Sequence, residues 1–257
     1  MTSVLYALSG FCVGVLVGLT GVGGGSLMTP VLVLLFGIHP TTAVGTDLLF
    51  AATTKTLGTL LHGLSQNIDW RIVCLLATGS VPATALTLFI LSHLDLEGGT
   101  ARHVITIALG VALLLTAAFL LLARSIRAAY ADRIGQLDDR LVATLTILLG
   151  VTMGVLVPAT SVGAGAIGVT VLLLLYPRLA VTRIVGSDIA HAVPLTLVAG
   201  AGHWYLGSVD WALLAPLLTG SLPGIAVGST LAGRIPDLAV RTALAVILVI
   251  VGVRLML

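Results

Sequence analysis

The sequence predicts an all-α, polytopic helical membrane protein made of two inverted repeats, each with a glycine-broken helix and a short half-helix. Three observations lead there. The 257 residues are 58% hydrophobic and 9% charged, with a mean hydropathy of +1.18; a soluble domain carries about 25% charged residues. Too few polar side chains remain to cover a water-facing surface, so the bilayer is the solvent for most of the chain. The apolar residues run in long unbroken stretches rather than the short alternating segments of a membrane β-barrel. The two halves of the chain also match each other in register.

Apolar segments fall at 4–22, 26–36, 41–63, 70–92, 101–123, 140–157, 166–176, 180–203, 210–231 and 239–257. Most approach the ~20 residues a helix needs to cross the hydrocarbon. Segments 26–36 and 166–176 are near half that length, and each follows a glycine cluster, GLTGVGGG in one case and SVGAG in the other. Glycine is the poorest helix former after proline, so such a cluster inside an apolar run marks a break. The first run leads directly into glycine rather than into a small-residue cleavage site, so it reads as the first helix and not a cleaved signal. The connector ARSIRAAYADRIGQLDDR is strongly charged. It divides the chain into a first repeat (1–123), a cytoplasmic connector (124–139) and a second repeat (140–257). Cys12 and Cys74 lack disulfide-framework or metal-ligand spacing and read as small packing residues.

Sliding the chain by 140 residues lays GVLVGLTGVGGG (14–25) on GVLVPATSVGAG (154–165). With one inserted residue, Gly45-Thr46-Asp47 falls on Gly186-Ser187-Asp188, His62 on His203, Asp69-Trp70 on Asp210-Trp211, and Pro82 on Pro223. Leucine and valine match by chance in such a composition; His, Asp, Trp and Pro in one register do not. The chain therefore reads as an internal duplication. Antiparallel repeats place nine arginines on one face (71, 124, 127, 133, 140, 178, 183, 234 and 241) and only Arg102 and Arg254 on the other. If the short segments re-enter from the far side, the split is six to five. The positive-inside rule selects the first arrangement, with both termini outside and the connector cytoplasmic. Inverted repeats with glycine-interrupted short segments in matching positions are the mark of a secondary transporter with a site near the midplane.

The motifs GLTGVGGGSLMTPVLVLLFGI, TAVGTDLLFAATTKTLGTLLHGLSQNIDW and GSVPATAL, with SVGAGAIGVTVLLLLY, VGSDIAHAVPLTLVAGAGHW, GSVDW and GSLPGIAVGSTLAGRIPD in the second half, resemble the TauE/SafE sulfite exporter family. The resemblance covers nearly the whole chain. It implies transport of a sulfur-containing anion, sulfite, a sulfonate or a related oxyanion, across the bacterial cytoplasmic membrane. It leaves the individual anion and the direction open.

GVGGGS lacks the Gly-Lys-Ser/Thr ending of a phosphate loop and the last glycine of a dinucleotide fingerprint. One reading is close helix packing by small residues. The sharper one is an unwound segment whose amides, at a helix N-terminus, face an anion. On that reading Gly23, Gly24, Gly25, Ser26 and Thr29 bind substrate, with Gly163 and Gly165 from the second copy. Lys55, the only lysine in the chain, lies midway along 41–63. A charge there costs at least ~2.5–3.5 kcal/mol and is normally paired or functional; it either faces the anion or pairs with Asp188 or Asp47. Asp47 and Asp188 read as first-turn acids of their helices, or as proton-coupling groups. Their neighbours Thr46 and Ser187 are candidates to touch an oxyanion. His62 and His203 read first as interfacial hydrogen-bonding residues and second as proton-coupling or gating groups. His191, on the same helix face as Asp188, is the better coupling candidate.

The Asp-Trp pairs read as helix N-caps followed by aromatic interface anchors. The partners expected are the small anion, protons and the lipid bilayer; nucleic acid is not expected, and a homodimer is allowed. No cofactor or metal is expected. Two other classes remain: an anion channel, and an intramembrane hydrolase using Ser187 with His191.

Overall fold

The expected apolar segments become helices with small shifts at their ends. The computed structural model describes residues 2–20, 25–64, 67–93, 99–134, 138–163, 165–231 and 237–257. Among them are ten helices and no strands: α1 Thr2–Thr20, α2 Gly25–Phe36, α3 Pro40–Leu64, α4 Trp70–Ser92, α5 Gly99–Ile134, α6 Asp139–Thr160, α7 Ala166–Leu175, α8 Val181–Tyr205, α9 Trp211–Leu231 and α10 Asp237–Met256. Seven of the described helices are long and apolar enough to cross a membrane. α2 and α7 are the short ones, at 12 and 10 residues. At 1.5 Å per residue α7 extends about 15 Å, half the thickness of the hydrocarbon. The charged connector differs from expectation in one respect. Helix α5 continues through it as far as Ile134, because its Ala, Arg and Leu content favours helix as well as the apolar run before it does.

The starts of α4 and α9 follow from capping chemistry. Asp69 accepts from the backbone N–H groups of Arg71 and Ile72, and Asp210 accepts from that of Leu213. Trp70 and Trp211 follow them, 63% and 53% exposed, as expected of interface anchors. Pro82, Pro194, Pro216 and Pro223 lie within helices, a placement that membrane bundles tolerate.

Packing between the halves is reciprocal. α1 lies along α9, and their counterparts α6 and α4 lie along each other. α2 packs on α3 as α7 packs on α8, while α3 pairs with α8 and α5 with α10. The chain is thus interlocked, each half resting its first helix on the fourth helix of the other. Small residues permit the approach. A Cβ on Gly10, Gly14 or Gly18 would collide with the backbone of Leu217, Ser221 or Ile225; one on Gly220, Gly224 or Gly228 would collide with that of Ala7, Phe11 or Val15. Gly150 and Gly154 meet Leu76 and Ser80 in the same way on α4. With lipid tails as apolar as leucine, such backbone proximity and the dispersion contacts it allows are what hold helices together in a bilayer. Cys12 and Cys74 depart from the expected packing role: both are exposed on the outside of the bundle.

Replacing Gly220 by Val should separate α1 from α9, at a cost of about 1–3 kcal/mol for overpacking. The expected result is less monodisperse protein and a lower melting temperature in detergent. The exposed substitution Leu86→Val should leave both unchanged.

Candidate functional site

The charged centre of the bundle forms where α3 meets α8 and the short helices close over them. α3 carries Thr46, Asp47, Thr54 and Lys55 within three turns. All four are buried, as are Ser187, Asp188 and His191 on α8. Asp47 and Asp188 are each the eighth residue of their helices. They therefore lie two turns inside and not in the first turn, where the sequence had placed them.

Lys55 is 5% exposed, Asp47 0% and Asp188 1%. Lys55 lies within electrostatic reach of Asp188, Asp47 and His191. Neither carboxylate forms a hydrogen bond to it among the described residues. A buried charge without a directly bonded counter-charge is costly, and this cluster keeps three such groups near one another.

The two acids are equivalent in sequence but differ in surroundings. Asp47 is held by α2: one Oδ2 oxygen accepts from the Thr29 hydroxyl at 2.5 Å and from the Thr29 backbone N–H at 3.1 Å. Ser161, which closes α6, stands close to the same carboxylate. In the second half Val169 holds the place of Thr29, so no hydroxyl is available. The Asp188 carboxylate instead presses against Gly168 in the first turn of α7, where a Cβ would overlap its Oδ1 atom. Among the described residues that oxygen has no hydrogen-bond partner.

The second glycine break has unusual backbone. Ser161 ends α6 with φ 58°, and Gly163 and Gly165 take φ of 113° and 120°, the left-handed region that glycine enters without strain. Pro158 lies just ahead of the break, and its carbonyl accepts from Nε2–H of His203 at 2.8 Å. His203 is buried, so its role is to tie α8 to the broken helix rather than to sit at the interface. His191 reaches across to the other half, with Nε2 2.8 Å from Ser80 Oγ, while its Nδ1 has no partner among the described residues.

Several predicted ligands are engaged elsewhere in this conformation. Thr46 Oγ1 accepts from the Asp210 N–H at 3.1 Å, and Ser187 Oγ accepts from the Asp69 N–H at 2.7 Å. The two hydroxyls form a matched pair of ties between halves. Asp69 is further linked to Arg183 at 3.6 Å. Ser187 also donates to the Arg183 carbonyl, and His191 bonds to Ser80, so the serine–histidine pair of a hydrolase is not formed. Gly23 and Gly24 lie outside the described residues, as do the side chains of Ser26 and His62. Gly25 begins α2. The sequence reading missed Gly168, Ser80 and Ser161. Gly168 had a signal, an isolated glycine in an apolar helix, which marks a close approach. Ser80 ends Thr78-Gly79-Ser80, which falls on Thr219-Gly220-Ser221 in the same register of the two halves. Ser161 had none, since its role arises only from the fold.

A separate surface cleft of about 300 Å³ opens beside the starts of α4 and α6 and the turn after α7, lined by Asp69, Arg71, Asp139, Tyr176 and Arg178 among others.

A membrane-length helical bundle around a charged centre is the form of a membrane transporter. The chain belongs to the sulfite exporter TauE/SafE family, whose model matches residues 6–255. It is 38% identical over 257 residues to the probable membrane transporter protein YjnA of Bacillus subtilis strain 168, covering 98% of this chain and 99% of that one. It is 29% identical to the probable membrane transporter protein YdhB of the same organism, covering 85% and 86% of the two chains. With the probable membrane transporter protein MJ0441 of Methanocaldococcus jannaschii the identity is 27%, over 76% and 70%. No solved structure matches the chain.

Thr29→Val should remove the hydroxyl that holds the buried Asp47 carboxylate, lowering stability by about 1.5–3 kcal/mol. A thermal-melt series in detergent checks it. Val169→Thr, which introduces a hydroxyl beside an acid that lacks one, should not destabilise.

Proposed function

We propose that this protein is a secondary transporter that moves a sulfur-containing oxyanion, of the sulfite or sulfonate class, across the cytoplasmic membrane, coupled to protons. The observation that carries the reading is Lys55, the single lysine, buried within reach of two acids yet bonded to neither. A cation in that state retains positive potential for a mobile anion. The N-terminal ends of α2 and α7 add about half a positive charge each and unpaired amides. On this reading Gly23, Gly24, Gly25 and Ser26 in the first break, with Gly163 and Gly165 in the second, let the backbone approach the oxyanion closely. Thr29, Thr46 and Ser187 frame the site through the ties described above. Protons are carried by groups of the α8 face, Asp188 and His191. His203 and His62 gate the broken segments. The family resemblance supports the substrate class, and the chemistry of a buried lysine between helix ends supports an anion.

The repeats are proposed to be inverted in the membrane, with both termini outside and the arginine-rich face cytoplasmic. The reciprocal pairing of α1 with α9 and α6 with α4 supports a two-fold relation between halves, and the arginine distribution supports its orientation.

In proteoliposomes with an imposed pH gradient, a panel of sulfite, thiosulfate, sulfonates and sulfate should give saturable, proton-dependent flux of at least one anion. Lys55→Ala should abolish that flux while leaving folded protein; near-normal transport would discard the role. Large single-channel currents would favour a channel instead. Tags at either terminus should be reached by an impermeant reagent from outside the cell, and a cytoplasmic terminus would overturn the topology.

A further inference from the structure

The two equivalent acids do not share one task. Asp47 is tied down by two hydrogen bonds from Thr29 and has Ser161 beside it, so it fastens α3 to α2. Asp188 has no such tie. It is 1% exposed, and its Oδ1 oxygen lies against Gly168, within the first three residues of α7, with no hydrogen-bond partner among the described residues. That turn carries the amides of residues 166 to 168, which have no acceptor within the helix. Gly165, with φ 120° and ψ −75°, supplies no capping side chain to them. Lys55 lies within electrostatic reach of the same carboxylate. A carboxylate near both a helix N-terminus and a lysine occupies the kind of place where an oxyanion would be held.

We propose that Asp188 is an internal surrogate for the transported anion: it fills the anion's place between α7 and Lys55, and must take up one proton for the oxyanion to bind. The inference rests on the anion-transport reading above and adds a stoichiometry and a single coupling residue to it. The step balances simply. One proton from the water entering the site joins Asp188, its negative charge disappears, and the oxyanion takes over the positive potential of Lys55 and the helix end. On release the proton leaves with the anion, and the carboxylate returns.

The charged and titratable groups around Asp188 are few. α3 contributes Lys55 and Asp47, and α8 itself contributes His191, which is bonded to Ser80 of α4. Between Val142 and Leu175, the stretch covering most of α6 and all of α7, there is no titratable side chain. Gly168 is part of the device, because any larger residue would push the carboxylate off the helix end.

The test is equilibrium binding of thiosulfate and methanesulfonate, whose charges are constant from mildly acid to mildly alkaline pH, to the purified full-length protein. For wild type the apparent Kd should rise about tenfold per pH unit on the alkaline side, the slope of one linked proton. Asp188→Asn should bind with no pH dependence on that side, and Asp47→Asn should keep the wild-type slope. A wild-type slope in Asp188→Asn, or a slope lost in Asp47→Asn and not in Asp188→Asn, would overturn the assignment. Calorimetry of the wild type in buffers of different ionisation enthalpy gives a second readout that does not depend on any variant folding. About one proton should be taken up per anion bound at alkaline pH, and none taken up would overturn the proposal. Wild type that binds neither probe, together with no flux in the anion panel, would instead defeat the anion-transport reading itself.

Discussion

The structure depends on a charge constraint. One lysine and two carboxylates are buried together at the centre of a chain that is otherwise almost wholly apolar. Burying an ion in a medium that cannot solvate it is so unfavourable that its neighbours must supply compensation. Here α2 supplies it to Asp47 through a hydroxyl and an amide. For Asp188 and Lys55 the compensation is mutual and incomplete, by proximity rather than by direct bonds. The half-helices that follow the glycine clusters bring Thr29 and Gly168, near their N-terminal ends, against these two acids.

Around that centre the bundle divides its labour. The glycine-lined pairs α1–α9 and α4–α6 bring backbone against backbone, leaving little room for either helix to shift without loss of contact. The ties from Thr46 to the Asp210 amide and from Ser187 to the Asp69 amide join each half to the start of the other's fourth helix. These hydroxyls sit next in sequence to Asp47 and Asp188, so a change at either acid is one residue away from a contact between halves. The same α8 helix carries His191 to Ser80 and His203 to the Pro158 carbonyl. A charge change on α8 is therefore linked to both the neighbouring half and the broken helix.

The duplicated plan makes the departures from it informative. Thr29 is answered by Val169, Lys55 by Thr196, and His191 by Phe50. Thr196 merely bonds back to the Ala192 carbonyl of its own helix, as an ordinary buried threonine does. The lysine comes from the first half only, and Asp188, the acid with no hydroxyl tie among the described residues, comes from the second.

The sequence by itself determined the class, the ten apolar segments and the second glycine break, because these rest on hydropathy, length and glycine content, which act locally. It also singled out Lys55, since an ionised side chain in an apolar run is conspicuous whatever its neighbours. Only the tertiary structure decided how the polar groups were shared. Thr29, Thr46 and Ser187 looked like free ligands and proved to be engaged with Asp47 and the Asp210 and Asp69 amides, residues 18, 164 and 118 positions away. His203 looked interfacial and proved to be buried. Gly168 acquired its meaning from a carboxylate on the next helix. A hydroxyl's partner is chosen by which helices meet and at what register, and no local pattern in the chain encodes that choice.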